Sequence, residues 1–447
     1  MSLPFSRCVD ASIRTSTLVL LFVAIFTVSP AASQSRISDV EQEIVEYIEA
    51  NVDGAIDLLE RTVNINSGTM NFAGVREVGH IFRAELDQLG FTTRWIDGAP
   101  FERAGHLIAE HRGSGPGILL IGHLDTVFEE DSPFQRFERL SDSIVRGPGV
   151  IDMKGGNVII VLALQSLQSV GLLEDLNIAV VLHGDEEQSG APLSLARQTL
   201  VQLAQTADVA IGFEDGDGNP ETAVIARRGF TGWQLNVRGR RAHSSLVFSD
   251  DIGFGAVYES ARILNDFREQ LVGERYLTFN PGIIVGGTTI DFDLEQSRAS
   301  AFGKTNVIAE STTVAGDLRT ISREQLESAK TRMRAIVSQN LSHTSAEIVF
   351  EDLYPPMAPT DGNQQLLTMV DQVSRDLGYG PVEAVDPGAA GAADISFVAD
   401  DVEMAIDGLG LMGDGGHTLS ETADLRTLPM QAERAAILIH RLSRENN

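Results

Sequence analysis

The stretch ILLIGHLDT, residues 118–126, decides the fold of this chain. Four apolar residues in a row predict a short buried strand at residues 118–123, and the polar residues that follow mark its end. Other apolar runs of this kind predict strands at residues 91–96, 106–110, 178–183 and 209–213. Helical spacing of apolar residues predicts helices at residues 38–64, 75–89, 156–170 and 193–204. Short strands among helices predict an α/β protein with a mixed, mostly parallel sheet between helices.

The pattern changes at about residue 226. From there the sequence predicts a strand, a helix, two strands, a helix and a strand, at residues 229–238, 252–271, 305–308, 313–319, 323–339 and 347–351. This order is that of a ferredoxin-like domain. The first pattern then returns, with helices at 364–377 and 431–442 and a strand at 402–406. We therefore predict a discontinuous domain, residues 34–225 and 354–447, with a ferredoxin-like domain, residues 226–353, inserted into it.

Residues 1–33 have the pattern of a secretory signal peptide. Arg7 and Arg14 precede an apolar run at residues 18–28, and small residues follow it up to Ser33. The run is short for a membrane span and ends at Pro30. We predict cleavage after Ser33 and an exported protein, periplasmic or secreted, that has no membrane segment after cleavage. An uncleaved membrane anchor is the alternative.

The overall charge argues against one class of partner. Acidic residues outnumber basic ones by 63 to 34, which gives a formal net charge of −29. Proteins that bind nucleic acids present basic surfaces to the phosphate backbone. We therefore predict no nucleic-acid partner.

Side chains that bind divalent metals occur at five positions in the sequence. They are His123 in GHLDT, Asp152 in GPGVIDMKGG, Glu187 in HGDEEQSG, Glu214 in GFEDGDG and His417 in GDGGHTLSE. Three of these positions follow predicted strands, where open α/β sheets place their sites. Two imidazoles and three carboxylates suit two zinc-like ions that share one carboxylate. The set predicts a hydrolase with a two-metal centre.

Other residues near these positions compete for the same roles. Asp215 and Asp217 are alternatives to Glu214, which we prefer because it directly follows a predicted strand. His183 lies at a predicted strand end close to the DEE sequence at residues 185–187. The remaining histidines are predicted to lie away from metal, and His183 is the least certain of them.

The five motifs, in this order and spacing, resemble those of the co-catalytic zinc hydrolases that include bacterial glutamate carboxypeptidase, aminoacylase, acetylornithine deacetylase and succinyl-diaminopimelate desuccinylase. The resemblance covers nearly the whole mature chain. It implies a zinc-hydrolase catalytic domain with an inserted dimerisation and lid domain, and two Zn²⁺ ions per subunit. Because none of the ligands is a thiolate, Co²⁺ or Mn²⁺ could replace zinc. The resemblance makes Asp152 the bridging carboxylate, shared by a site with Glu187 and His417 and a site with His123 and Glu214.

The resemblance also implies catalytic roles. Glu186 becomes the general base that takes a proton from a water and hands it to the leaving nitrogen. Asp125 becomes the carboxylate that orients His123 by accepting its second ring N–H. His243, in RRAHSS, would cross the interface of a homodimer and stabilise the oxyanion in the neighbouring active site. The peptide bond after Asp152 is expected to be cis.

Two further residues of the insert are implied to bind substrate. Asn306 in TNVIAE and Arg319 in GDLRT resemble residues that hold a substrate carboxylate, and the planar arginine fork suits that group. The glycine-rich loop at residues 388–391, together with Asp394, resembles a loop that lines the site near the substrate.

These inferences predict an exported metallohydrolase that cleaves an amide bond next to a free carboxylate, of the carboxypeptidase or dipeptidase type. Its substrate would be a small peptide or an N-acyl amino acid. An N-acyl-amino-acid deacylase on the same scaffold is the alternative, because only the substrate pocket separates the two. A non-catalytic metal-binding or solute-binding protein fits less well, since a binder needs no base at Glu186.

The glutamate-releasing relatives carry an arginine after the last strand of the insert, where this chain has DLYPPM at residues 352–357. We therefore expect substrates with an apolar or small C-terminal residue.

Overall fold

The structure is a computed structural model that describes residues 37–294 and 296–444. The predicted signal peptide, residues 1–33, therefore lies outside the described residues. Within the described ranges, no helix has both the length and the apolar character needed to cross a membrane.

The helices and strands follow one another along the described residues as expected for an α/β chain with an insert. The helices are α1 (Asp39–Val63), α2 (Phe72–Gln88), α3 (Lys154–Ser169), α4 (Leu193–Ala196), α5 (Gln198–Ala204), α6 (Gly255–Leu271), α7 (Arg323–Val337), α8 (Asp361–Leu377) and α9 (Thr427–Leu442). The strands are β1 (Thr92–Asp97), β2 (Gly105–His111), β3 (Gly117–His123), β4 (Glu138–Arg139), β5 (Ile144–Arg146), β6 (Asn177–His183), β7 (Val209–Gly212), β8 (Thr222–Ala223), β9 (Phe230–Gly239), β10 (Thr278–Gly287), β11 (Thr289–Asp293), β12 (Arg298–Phe302), β13 (Ser311–Arg319), β14 (Thr344–Tyr354), β15 (Glu383–Ala384), β16 (Met404–Ile406), β17 (Gly413–Asp414) and β18 (Thr422–Asp424).

The central sheet has the strand order β1-β2-β6-β3-β7-β16. Strands β6, β3, β7 and β16 are parallel neighbours, whereas β1 and β2 pair in the antiparallel sense. Side chains alternate between the two faces of a strand, and both faces of β3 are buried. Leu120 packs into a core with α1, α3 and α9, and Leu119 packs into a core with α5. The prediction of a mixed, mostly parallel sheet between helices is confirmed.

Residues 230–354 form a second, antiparallel sheet with its own core. The strand order is β10-β13-β9-β14, and α6 and α7 pack around Trp233, Phe267 and Met333. The sequence of elements, β9-α6-β10-β13-α7-β14, is the β-α-β-β-α-β order of the ferredoxin-like fold that the sequence predicts.

One predicted strand of the insert is wrong. Residues 305–308 form only an isolated bridge, between Val307 and His243, and the second strand of the motif is β10 instead. β10 contains Pro281 and several glycines, which are unfavourable in the centre of a sheet. It tolerates them because it lies at the sheet edge and its register shifts between Pro281 and Ile283. The hairpin of β11 and β12, which follows β10, was not predicted.

A small sheet, in the order β17-β18-β5-β4, joins two distant parts of the chain. β18 pairs with β5 in the antiparallel sense, with Thr422 opposite Arg146. The loop after β5 carries Asp152, and the loop between β17 and β18 carries His417. This pairing therefore brings the predicted metal ligand His417 next to the predicted metal ligand Asp152.

Candidate metal centre

Three of the predicted ligands lie at the carboxyl ends of neighbouring strands. His123 is the last residue of β3, Glu187 follows β6, and Glu214 follows β7. Because β6, β3 and β7 are parallel and adjacent, their carboxyl ends lie along one edge of the sheet. The fold thus gathers residues that are far apart in the sequence at a single edge.

The five predicted ligands form two groups that share Asp152. One group is His123, Asp152 and Glu214, the other is Asp152, Glu187 and His417, and in each the potential ligand atoms lie within 4.8 Å of one another. Asp152 Oδ1 is 3.0 Å from His123 Nε2, and its Oδ2 is 2.8 Å from His417 Nε2. The structure therefore brings together all five residues, divided between two sites as the resemblance implied.

The backbone at two of these residues is unusual. The peptide bond Asp152–Met153 is cis, as expected from the sequence. His417 has a φ of 62°, in the left-handed region that residues other than glycine rarely adopt. Left-handed backbone at a residue other than glycine is enriched at functional sites, where the surrounding structure holds it.

The electrostatics of the two groups fit bound cations. Burial and the nearby Asp152 carboxylate raise the pKa of Glu187 to about 7, and burial raises the pKa of Glu214 well above its usual range. Hydrogen bonds to Asp152 and Glu187 raise the pKa of His417 to about 11. Among the described residues, Glu187 Oε1 is buried without a hydrogen-bond partner. Clustered buried carboxylates need positive charge nearby, and a set of imidazoles and carboxylates suits zinc-like ions.

Asp125 holds the loop that carries Glu186 and Glu187. Its Oδ1 accepts the amide N–H of Glu186 and its Oδ2 that of Glu187, both at 3.1 Å, while the Thr69 hydroxyl donates to Oδ2 at 2.6 Å. The ring of His123 lies 3.0 Å, through Nδ1, from the backbone carbonyl oxygen of Asp125 and 3.5 Å from Oδ1 of its side chain. The backbone carbonyl, rather than the predicted carboxylate, is thus the nearer acceptor for this ring. The carboxylate also fixes the backbone of the predicted ligand Glu187 and of the predicted base Glu186.

Glu186 directly precedes Glu187, is half-buried, and lies close enough to the two groups for the charges of His123, Glu187 and Asp152 to act on its carboxyl. Burial and the charge of Asp394 raise the pKa of the Glu186 carboxyl well above its usual range, against the opposing effect of His123. Its backbone carbonyl accepts a hydrogen bond from the Tyr354 hydroxyl at 2.9 Å. A carboxyl with a raised pKa beside a metal site is suited to accept and return a proton.

A buried ion network lies next to Glu186. Arg197 donates to Asp185 Oδ1 at 2.6 Å and to Asp394 Oδ1 at 2.7 Å. The other oxygen of Asp394 is bonded to His183 Nδ1, so His183 pairs with a carboxylate and is in neither metal-ligand group. Asp394, predicted to line the site, is buried in this network, from which its charge acts on Glu186.

A second buried ion pair holds Glu214. Asp407, directly after β16, accepts the amide N–H of Glu214 through Oδ1 at 3.2 Å. Its Oδ2 accepts two N–H groups of Arg227, at 2.8 and 3.1 Å. Neither residue was predictable from the sequence, because their contacts join positions about 180 residues apart and follow no local spacing.

Glu421 is a further residue that sequence analysis missed. Its carboxylate is fully buried and accepts the amide N–H groups of Gly149, Ile151 and Asp152, at 3.0, 2.9 and 3.3 Å. Glu421 belongs to the same GDGGHTLSE motif as His417. Glu421 therefore ties the loop that carries Asp152 to the segment that carries His417.

Replacing Glu421 with alanine should weaken metal binding by about 10- to 100-fold, as the loss of groups that orient a ligand typically does. The substitution also leaves buried N–H groups without an acceptor, and each such group lowers the free energy of unfolding by about 1–3 kcal/mol. Metal affinity can be measured by competition with a chromophoric chelator, and stability by thermal unfolding. The control is Glu433→Ala. This substitution removes a buried carboxylate of α9 that accepts a hydrogen bond from Tyr379, and it should lower stability only. Unchanged metal affinity in Glu421→Ala would show that Glu421 does not position Asp152.

The three predicted residues of the insert lie in two places. His243 forms a bridge with Val307, and the amide of Ser244 donates to the Asn306 carbonyl at 3.0 Å, so His243 and Asn306 are neighbours. Arg319 lies at the end of β13, where its Nε donates to Asp317 at 2.9 Å. Its guanidinium also lies 4.4 Å from the centre of the Phe230 ring.

Comparison with known proteins confirms the resemblance noted in the sequence. Carboxypeptidase G2 of Pseudomonas sp. (strain RS-16) is 25% identical over 433 residues, which cover 96% of this chain and 98% of that protein. Among solved structures, the aminopeptidase PepT of Bacillus cereus has a TM-score of 0.70 at 17% identity, covering 88% of this chain and 99% of its own. The YXEP protein of Bacillus subtilis, described as a dinuclear metal binding peptidase, has a TM-score of 0.60 at 16% identity and the same coverage. Residues 119–441 match the family model of Peptidase family M20/M25/M40, so this chain belongs to that family of metallopeptidases and amidohydrolases.

Proposed function

We propose that this protein is an exported metal-dependent hydrolase that cleaves an amide bond next to a free carboxylate, as a carboxypeptidase or dipeptidase. The observation that carries the proposal is the position of Asp152 between His123 and His417, with a further carboxylate, Glu186, beside the ligand Glu187. A protein that only bound metal would need the ligands and no such neighbour. Export is supported by the pattern of residues 1–33 and is tested by the amino-terminal sequence of the purified mature protein, which should begin after Ser33.

The metal-ligand groups and Glu186 are proposed to have different roles in the reaction. Two divalent cations held by the two groups would lower the pKa of a shared water and polarise the substrate carbonyl. We propose zinc, while cobalt and manganese suit the same nitrogen and oxygen ligands. Glu186 takes the proton of the attacking water and then returns it to the leaving nitrogen. The raised pKa of Glu186 supports this role, because a more basic carboxylate takes a proton from water more readily.

The end of β14 and the three residues that follow it bear on substrate choice. Residues 352–357, DLYPPM, contain no basic side chain. Asp352 accepts bonds from Thr231 at 2.9 Å and Lys330 at 2.7 Å, and Tyr354 is bonded to the Glu186 carbonyl. A second carboxylate on the leaving residue of a substrate would find no cation in this segment. We therefore propose that the enzyme accepts apolar or small C-terminal residues.

N-acyl leucine and N-acyl alanine should be hydrolysed with a kcat/KM at least about tenfold above that of N-acyl glutamate, because a side-chain carboxylate without a partner is rejected. Dipeptides with the same C-terminal residues, assayed in parallel, should be cleaved faster than the N-acetyl amino acids. Strong selectivity for glutamate would contradict the proposed preference. Faster cleavage of the N-acetyl amino acids would favour the deacylase alternative.

We also propose a homodimer in which His243 reaches the neighbouring active site. The proposal is supported by an exposed apolar patch formed by Phe248 and by Val257 and Tyr258 of α6, each more than half exposed. The rings of Phe248 and Tyr258 lie 5.1 Å apart, and Phe248 follows His243 by five residues. Exposed apolar patches on folded proteins commonly mark interfaces.

Light scattering should give the mass of a dimer for the wild-type protein and of a monomer for Val257→Asp, which places a charge in the patch. His243→Ala should remain dimeric and lose turnover by about 10²-fold, the lower end of the effect of removing an oxyanion donor. A monomeric wild-type protein with full activity would refute this arrangement.

A further inference from the structure

The last strand of the insert is bonded to the backbone of the predicted catalytic base through the side chain of Tyr354. Tyr354 is the last residue of β14, in the antiparallel sheet. Its hydroxyl donates to the backbone carbonyl of Glu186 at 2.9 Å. Glu186 follows β6 of the central sheet, which has a different core. One hydrogen bond therefore links the insert to the backbone of the residue that is proposed to transfer the proton.

The surroundings of Tyr354 fix the direction of its hydroxyl proton. The oxygen lies 3.4 Å from Arg197 Nη2, which donates to it, and 3.2 Å from the Ser189 hydroxyl. Burial and the charges of Glu186 and Asp394 hold the pKa of the phenol well above its usual range, so the group stays protonated. The ring packs against Phe397 with a centroid distance of 5.0 Å. The hydroxyl is thus an ordered donor.

The Glu186 backbone is held from two sides. Its N–H is bonded to Asp125, which follows β3, and its carbonyl is bonded to Tyr354 of the insert. The position of the backbone determines where the side-chain carboxylate points. A displacement of about 1 Å in a reacting group can reduce the rate by about 10²-fold.

We propose that Tyr354 is a positioning residue that makes the orientation of Glu186 depend on the position of the insert. This rests on the proposed role of Glu186 as the base. Tyr354 touches neither the substrate nor the metal ligands in this account, and acts through the Glu186 carbonyl alone. The insert thus affects catalysis through the backbone of the base as well as through its substrate-binding residues.

The test uses the metal-loaded protein and three variants. Tyr354→Phe removes the hydroxyl, and Ser189→Ala removes a neighbour of that hydroxyl but keeps its bond to Glu186. Tyr379→Phe is the matched control, since its hydroxyl donates to Glu433 at 2.6 Å in the packing of α9. We expect Tyr354→Phe to lower kcat by about 10- to 100-fold with KM within about twofold and full metal content. The two other variants should keep kcat within about twofold of the wild type.

Hydrogen–deuterium exchange gives a readout that does not depend on activity. The amides of Glu186 and Glu187 are bonded to Asp125, and a loosened loop exposes them. The peptide that spans residues 184–190 should exchange faster in Tyr354→Phe than in the wild type, and at the wild-type rate in Tyr379→Phe. Unchanged exchange or unchanged kcat in Tyr354→Phe would overturn the proposal, as would an equal loss of kcat in Ser189→Ala. A wild-type protein without turnover on any substrate would instead refute the proposed function, and the role of Tyr354 with it.

Discussion

Replacing Glu186 with glutamine should abolish turnover while both metal-ligand groups remain intact. Glutamine has nearly the same shape as glutamate but cannot accept a proton from the attacking water. General acid–base catalysis contributes about 10²- to 10⁴-fold, and we expect a loss of about 10³-fold in kcat because one side chain acts first as base and then as acid. Because Glu186 belongs to neither metal-ligand group, its replacement removes no ligand.

The measurement combines kcat on a dipeptide with metal analysis of the same sample. Glu433→Gln, which changes a buried carboxyl of α9 that belongs to neither metal-ligand group, is the control and should keep full turnover. Turnover that persists in Glu186→Gln would remove Glu186 from the chemistry. Loss of metal from this variant would instead make Glu186 a ligand.

The second large effect is expected at Asp152. Asp152→Asn should lose metal from both groups and lower turnover by at least about 10³-fold, because two-metal hydrolysis depends on ions held together by a shared ligand. The two carboxylate oxygens point to different histidines, His123 at 3.0 Å and His417 at 2.8 Å. An asparagine offers one oxygen and no charge, so it cannot serve both groups. His417→Ala, which affects a single group, should retain the metal held with His123.

Metal content per subunit after dialysis distinguishes these variants. Asp217→Asn is the matched control, since Asp217 is an exposed acid that bonds to Thr222 and belongs to neither group. It should keep the metal content and turnover of the wild type. Full retention of both metals in Asp152→Asn would show that Asp152 does not bridge them.

The central strands were predictable because they are short apolar runs with polar ends. The helix predicted at residues 156–170 is α3, Lys154–Ser169, and the strand predicted at 118–123 is β3, Gly117–His123. β10 was missed because it carries Pro281 and glycines, which weaken the apolar pattern and which only an edge strand accepts. A single sequence does not indicate which strand will lie at the edge of a sheet.

The ligand residues were predictable for a different reason. Their residue types, their places after strands and their order along the chain matched a known family. The residues that hold them were not predictable, because each acts on backbone groups far away in the sequence. Glu421 accepts an amide N–H 272 positions away, and Tyr354 donates to a carbonyl 168 positions away. Hydrogen bonds to the backbone place no demand on residue type at the other end, so they leave no motif.

The central claim is that Asp152 joins two metal sites built from both ends of the catalytic domain. Crystals of the zinc-loaded protein, measured at the zinc absorption edge, test it most directly. We expect two anomalous peaks, one in contact with His123, Asp152 and Glu214, the other with Asp152, Glu187 and His417. A single peak, or an Asp152 carboxylate that contacts neither ion, would contradict it.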